Sequence, residues 1–349
     1  MKKYALYIIS LFLVISTFAQ KNEYKVVVAG FYNLENLFDT IDDPGWGDDD
    51  FTPNGTNHYS AAIYKDKIQH LEEVISQIGT DISPDGMALW GTAEIEKASV
   101  VQDLVNQPKL KSRNYQIVHF NGGDPRGIDC GLVYNPKYFS VLYSKSIPIN
   151  LSKAPGVKEG KPTRDVLWVK GILNKTDTLD VFVGHWPSRR GGEELTKPMR
   201  NYVAMVIRQI TDSLMAINKN TKVIVMGDLN DNPDDESLVK YIGSVAKKEN
   251  CKEGGFYNPW VDFHKKGLGT LAHNDAWGLF DQIILSSGWL NKNQSGYFYQ
   301  KANIFTKDFM IQKTGKYKGY PKRTWDWAIY NGGYSDHFPT YITLLKEVK

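Results

Sequence analysis

Lys222-Val223-Ile224-Val225-Met226-Gly227-Asp228-Leu229-Asn230-Asp231-Asn232-Pro233 joins two kinds of sequence without a break. Up to Met226 it is apolar and rich in β-branched residues, the pattern of a buried strand. From Gly227 it is built of turn formers. Asp228 and Asn230, two residues apart, therefore leave the strand end on one face. A carboxylate and a carboxamide placed this way can hold a hard cation and orient a phosphate or a water. A plain loop, with Asp228 capping the next helix, has the same composition. The surrounding chain has to decide between them.

Working outward, the same arrangement recurs: an apolar run with a polar, chemically capable residue at its end. Upstream, strands are expected at 166–173 and 178–183. The second ends in His185-Trp186-Pro187, and a long helix at 194–217 follows. Downstream come a helix at 235–245, a strand at 279–285 carrying Asp281, and a loop at 303–330. Asp336 and His337 then directly precede a strand at 341–345. Near the start, a strand at 24–31 runs into Asn33-Leu34-Glu35-Asn36. Ile63, Lys67, Ile68, Leu71, Val74, Ile75 and Ile78 recur at helical spacing and mark an amphipathic helix. A strand at 87–95 ends near Glu94, and a helix is expected at 100–105. Further strands are expected at 115–120, 128–134, 139–143 and 146–149. No repeat or low-complexity linker interrupts the pattern, so residues 20–349 read as one domain. Hairpin-connected strands with interspersed helices favour an α+β sandwich.

The first 19 residues stand apart. Lys2 and Lys3, an apolar run at 4–18, and Thr17 and Ala19 at the −3 and −1 positions form an export-signal pattern with cleavage near Ala19. The run is shorter than the roughly 20 residues of a membrane span. An exported (periplasmic or extracellular) protein without stable membrane insertion is expected. The chain is 42% hydrophobic and 23% charged, an ordinary globular composition. Its net charge of +3 includes the two leader lysines, so extensive electrostatic gripping of nucleic acid is excluded and phosphate binding must be local. The two cysteines, Cys130 and Cys251, allow either one disulfide or free thiols. Asp48-Asp49-Asp50 lies in an acidic loop that lacks the alternating ligands and closing Glu of an EF-hand, so a solvated loop is expected there. No motif specifies an oligomeric state.

Asn33, Glu94, His185, Asp228, Asn230, Asp281, Asp336 and His337 together make up the parts of a metal-assisted phosphoester hydrolase. Oxygen ligands without cysteine clusters favour Mg2+, with Mn2+ or Ca2+ as alternatives. The ordered motifs NLEN, AEIE, GHWPSRRGG, GDLND, FDQIILS and SDHFP resemble the endonuclease/exonuclease/phosphatase superfamily, the deoxyribonuclease-I-like fold. The resemblance implies a four-layer α/β/β/α sandwich of two mostly antiparallel sheets. By position it implies Asn33, Glu94 and Asp336 at the metal, with Glu94 preferred over Glu96. Asp228 is implied to handle water or metal, Asn230 the phosphate, and His337 the proton, oriented by Asp281. His185 matches a second active-site histidine. Arg189 and Arg190 offer a guanidinium fork to a phosphate or a solvated loop, with Arg164 and Arg126 as weaker candidates. Arg323, Trp325 and Trp327 offer base stacking or edge packing. The expected activity is nuclease cleavage of DNA or RNA. A phosphatase or sphingomyelinase-like phosphodiesterase is the alternative, and a non-catalytic binding protein is disfavoured.

Overall fold

The computed structural model describes residues 23–157, 159–292 and 296–348. The expected leader at 1–19 lies outside the described residues. In chain order the strands begin with β1 Tyr24–Leu37, β2 Leu89–Ile95, β3 Gln116–His119, β4 Asp129–Tyr134, β5 Phe139–Ile147 and β6 Val166–Leu173. They continue with β7 Asp177–His185, β8 Lys222–Asp228, β9 Ser244–Val245, β10 Phe256–Tyr257, β11 Leu271–His273 and β12 Ala276–Gly278. The last are β13 Asp281–Ser286, β14 Phe298–Ile304, β15 Trp325–Asp326, β16 Ile329–Tyr330 and β17 Thr340–Glu347. The α-helices are α1 Ala61–Ile75, α2 Ala98–Val105, α3 Pro108–Lys111, α4 Glu193–Ile217 and α5 Val261–Lys265.

Two large sheets are built from these strands, in the orders β14-β17-β1-β2-β4-β3 and β5-β6-β7-β8-β13-β10-β9. Helix crossovers carry the parallel pairs β1–β2 and β7–β8, and most other pairs are antiparallel. Side-chain alternation explains the layering. On β1, Val27, Ala29 and Phe31 face the second sheet, where they meet Val181, Val183, Ile224 and Met226. Val28 and Tyr32 face outward, under Ile68, Leu71, Val74 and Ile75 of α1. On β8, Val223 and Val225 face outward under Val203, Ala204 and Ile207 of α4. Both faces of the central strands are thus covered, which is why they read as unbroken apolar runs. Gly91 marks the close approach of the sheets: a Cβ there would sit 2.7 Å from Met226 Sδ. The expected four-layer α/β/β/α sandwich is the observed architecture.

Local differences have local causes. The strands expected at 139–143 and 146–149 are one strand, β5, with a register shift between Val141 and Tyr143. The helix expected at 235–245 is a short π-helix, Ser237–Ile242, closed by Gly243 at φ +73° and followed by β9. Strand β14 begins ahead of the expected loop; it pairs with β17 alone and keeps Gln300 and Lys301 exposed, so it lacks the two-sided apolar signature. Cys130 and Cys251 are both free thiols. Among the described residues, no helix is long and apolar enough to cross a membrane.

Candidate active site

Strand register assembles the first row of the site. In the β7–β8 pair His185 lies opposite Asp228, and in the β8–β13 pair Asp281 lies opposite the same Asp228. Three residues far apart in sequence are thereby neighbours across three strands. A Cβ at Gly227 would come within 2.0 Å of Gly184 O, so only glycine permits this close approach of β8 to β7.

The first sheet supplies the opposite wall. The pairing of β1 with β2 shifts register after Asn33 and Ala93, and Glu94 sits at the irregularity with φ +60°. Glu35, Asn36 and Asn230 also have positive φ, near +50°. Non-glycine residues in this conformation are strained and persist where surrounding structure holds them. Here the bulge aims Glu94 into the site. Its Oε1 accepts from Asn33 Nδ2 at 3.2 Å and its Oε2 from Asn36 N at 2.9 Å. Glu96, two residues on, instead accepts from Asp39 N and contacts Lys97. Glu94 thus lies beside His185, and Glu96 lies beside Lys97.

Asn33 departs from the expected ligand geometry. Its amide NH2 donates to Glu94 and, at 3.1 Å, to Asp228 Oδ2, while its Oδ1 accepts from Glu35 N. It ties two carboxylates together through its amide NH2, while its oxygen accepts from the backbone. Ser335 ties the end of β1 to the loop that carries His337: its hydroxyl donates to Asn33 O and accepts from His337 N.

The two histidines have opposite electrostatics. His337 Nδ1 lies 2.7 Å from Asp281 Oδ2, and its Nε2 faces Asp228 Oδ2 at 3.8 Å. Burial alone would push its pKa down, but Asp281, Asp336 and Asp228 hold it well above the usual imidazole value. His185 Nε2 lies 3.6 Å from Asp228 Oδ2 and 3.9 Å from Glu94 Oε1, and its Nδ1 has no hydrogen-bond partner among the described residues. Burial, then the charges of Arg164, Arg126 and His337, drive it well below the usual value. Asp228 is pushed up to about 7, first by burial, with His337 opposing and Asp281 and Glu94 adding to the rise.

This cluster fits a divalent cation. One ligand atom from each of Glu94, His185 and Asp228 lies within 4.8 Å of the others, and Asp228, Asp281 and His337 form a second such group. Asp281 Oδ1 is buried without a hydrogen-bond partner among the described residues. Buried carboxylates this close together destabilise one another unless a cation or proton intervenes. The donor set is dominated by hard oxygens.

Several expected site residues take other positions. Asp336 stands outside both ligand groups; its Oδ2 accepts from Arg323 Nη2 at 3.1 Å and its Oδ1 is 3.8 Å from His337 Nε2. Arg323 is the stronger partner and turns it toward the cleft. Arg189 is not a free phosphate fork. It donates to Asn230 O at 2.8 Å and to Asp231 and Asp235, lies 2.6 Å from Glu193, and stacks on Phe280. The nearby acids occupy the guanidinium, which clamps the Asn230 loop. Arg200, fully buried, donates to Asp231 at 2.6 Å from the other side. Arg190 is exposed, and its guanidinium has no partner among the described residues. Arg164 is buried and donates to the carbonyls of His185 and Trp186, so it shapes the strand end. Arg126 pairs with Asp124. Trp325 packs on Phe51 and Tyr59, whereas Trp327 is 91% exposed. Asn230 Nδ2 donates to Trp186 O, and its backbone N–H donates to Asp228 Oδ1.

Sequence reasoning missed Glu35 and Lys67. Glu35 is buried and accepts from Thr324 N and Trp325 N; burial and Asp336 raise it to about 7. Lys67, on the apolar face of α1, donates to Thr324 Oγ1 and is lowered by burial. A lysine amid the apolar repeat of α1 was the only available signal. A cleft of about 730 Å3 adjoins the site, with Arg190, Trp277, Phe280, Arg323 and Asp336 in its walls.

Comparison with solved structures finds the same fold at low identity. A Bacteroides thetaiotaomicron endonuclease/exonuclease/phosphatase family protein superposes with TM-score 0.56 and 16% identity, covering 93% of this chain and 100% of that one. A mannosyl-6-phosphatase from the same species gives 0.55 and 15%, over 91% and 99%. D. rerio TDP2 complexed with single-strand DNA product gives 0.54 and 15%, over 91% and 98%. Comparison with curated protein sequences returned no match. The family model described as Endonuclease/Exonuclease/phosphatase family matches residues 27–346. With nearly the whole described chain matched, this protein belongs to the endonuclease/exonuclease/phosphatase family, whose members hydrolyse phosphoesters.

Proposed function

We propose that the chain is an exported, divalent-metal-dependent phosphodiesterase that cleaves DNA or RNA. The observation that carries the reading is the Asp281–His337–Asp228 line, with its 2.7 Å contact behind the imidazole and a carboxylate in front. Asp281 orients the ring and keeps it charged, so His337 Nε2 can give a proton to a leaving oxygen. Asp228 orients the attacking water and takes its proton. Asn230, held by Trp186 O, has its remaining amide hydrogen for a phosphate oxygen. Glu94, Asp228 and His185 would hold the cation, with Asn33 fixing the two carboxylates. When bound, Mg2+ would neutralise phosphate charge and polarise water. Arg190 and Arg323, beside Trp277 and Phe280, give the cleft charge and flat apolar surface suited to a nucleotide. The leader pattern ending at Ala19 supports export.

A phosphatase or sphingomyelinase-like activity is the second reading. The bounded cleft of about 730 Å3 favours it, since that is the size of a small-molecule pocket. Purified protein incubated with plasmid DNA, RNA, sphingomyelin and a simple phosphomonoester, each with Mg2+, Mn2+, Ca2+ or chelator, separates the readings. Metal-dependent nicking lost in His337→Ala is expected. Phosphate or choline-phosphate release without nicking would establish the second reading, and silence on every substrate would refute both.

A further inference from the structure

The acidic loop after β1 is not simply solvated. Asp48 is 2% exposed; its Oδ2 accepts from Asp43 N at 3.0 Å, and its Oδ1 is buried with no hydrogen-bond partner among the described residues. Glu96, also buried, turns toward the same point, because the φ of Glu94 sends the two glutamates to different places. One oxygen each from Asp43, Asp48 and Glu96 lies within 4.8 Å of the others. They line a cavity of about 50 Å3 whose remaining wall includes Asn121 and Asp129. That is more than the space of a single water.

Lys97 is the resident cation. Its Nζ lies 2.9 Å from Asp39, Asp43 and Glu96. It does not satisfy Asp48, and one ammonium faces a set of carboxylates that outnumbers it. A buried carboxylate oxygen without a donor is costly, and a polar cavity beside it is where compensation belongs. Two oxygens on opposite sides of a Ca2+ ion are about 4.8 Å apart, and Ca2+ accepts irregular sets of carboxylate, amide and water oxygens. The geometry points to a second cation site, for Ca2+, formed by Asp43, Asp48 and Glu96 and sharing no ligand with the active site. Its occupancy would fasten the loop that carries Phe51. That ring stacks on Phe38 at 4.3 Å and meets Trp325 edge-on, beside the Glu35 hydrogen bonds. The site is therefore a structural brace for the strand end that presents Asn33 and Glu35.

The full chain carrying Glu94→Gln and Asp228→Asn, which together remove a carboxylate from each cation-capable group of the active site, should be titrated with Tb3+ as a Ca2+ probe. Trp46 lines the cavity and is positioned to sensitise the emission. One saturable equivalent, displaced by Ca2+, is expected. Adding Asp48→Asn should weaken binding by more than about tenfold, as loss of a charged ligand does. Asp43→Asn, at a half-buried position with less effect on folding, should weaken it similarly while the circular dichroism stays unchanged. Absence of saturable binding, or affinity unaltered in Asp43→Asn, would overturn the proposal and leave Lys97 as the loop's only counter-ion.

Discussion

His337 and His185 approach the same Asp228 oxygen from two sides, at 3.8 and 3.6 Å, and each is 6% exposed. Their environments differ in what stands behind the ring. Asp281 backs His337, and among the described residues His185 Nδ1 has no hydrogen-bond partner. Three acids raise the first imidazole, while burial and two arginines lower the second. Burial pushes both rings toward the neutral form, so it does not distinguish them. A carboxylate on the far nitrogen does, and the pair divides into a charged proton donor and a neutral ring.

Substitutions can break this asymmetry. His337→Ala should lower kcat by about a thousandfold, the range of a lost general acid, whereas His185→Ala should cost about tenfold to a hundredfold. Equal losses, measured on whichever phosphoester is turned over, would remove the distinction. Asp228→Asn should lose about a hundredfold in turnover with an unchanged circular dichroism spectrum; near-normal activity would sink its assigned role.

Asp281→Asn sharpens the comparison through pH. Asp281 favours protonated His337, so removing its charge lowers the His337 pKa. The ring then loses its proton at lower pH, and the alkaline limb of the kcat profile should move down, with about a tenfold loss near neutrality. An unmoved limb would mean that another group supplies the proton. The smallest effects separate the two arginines. Arg189→Ala should reduce stability by about 1–3 kcal/mol in denaturant unfolding, because it leaves Asp231 and Asp235 short of a partner. Arg190→Ala should raise KM a few-fold with kcat and stability unchanged.

Much of the fold was legible because β1, β2 and β8 are covered on both faces and so carry unbroken apolar runs. The site was legible as a set of residues at strand ends. Its assembly was not, since the His185–Asp228–Asp281 row depends on strand register that no local pattern encodes. Arg189 misled for a related reason: its partners Asp231 and Asp235 come from a loop more than forty residues away. Asp48 was read as solvated because its loop resembles a surface loop in composition, while its burial depends on contact with the end of β2. Lys67 belongs to the helical repeat of α1, and nothing local marks that its ammonium meets Thr324, 257 residues away.

The charge asymmetry can be measured without knowing the substrate, by following the ring nitrogens of His337 and His185 by 15N NMR as pH is raised. The structure predicts that His337 remains protonated above the pH range in which an ordinary histidine titrates, and that His185 is already neutral below it. Two rings titrating together, or in the reverse order, would contradict the assignment of His337 as the acid.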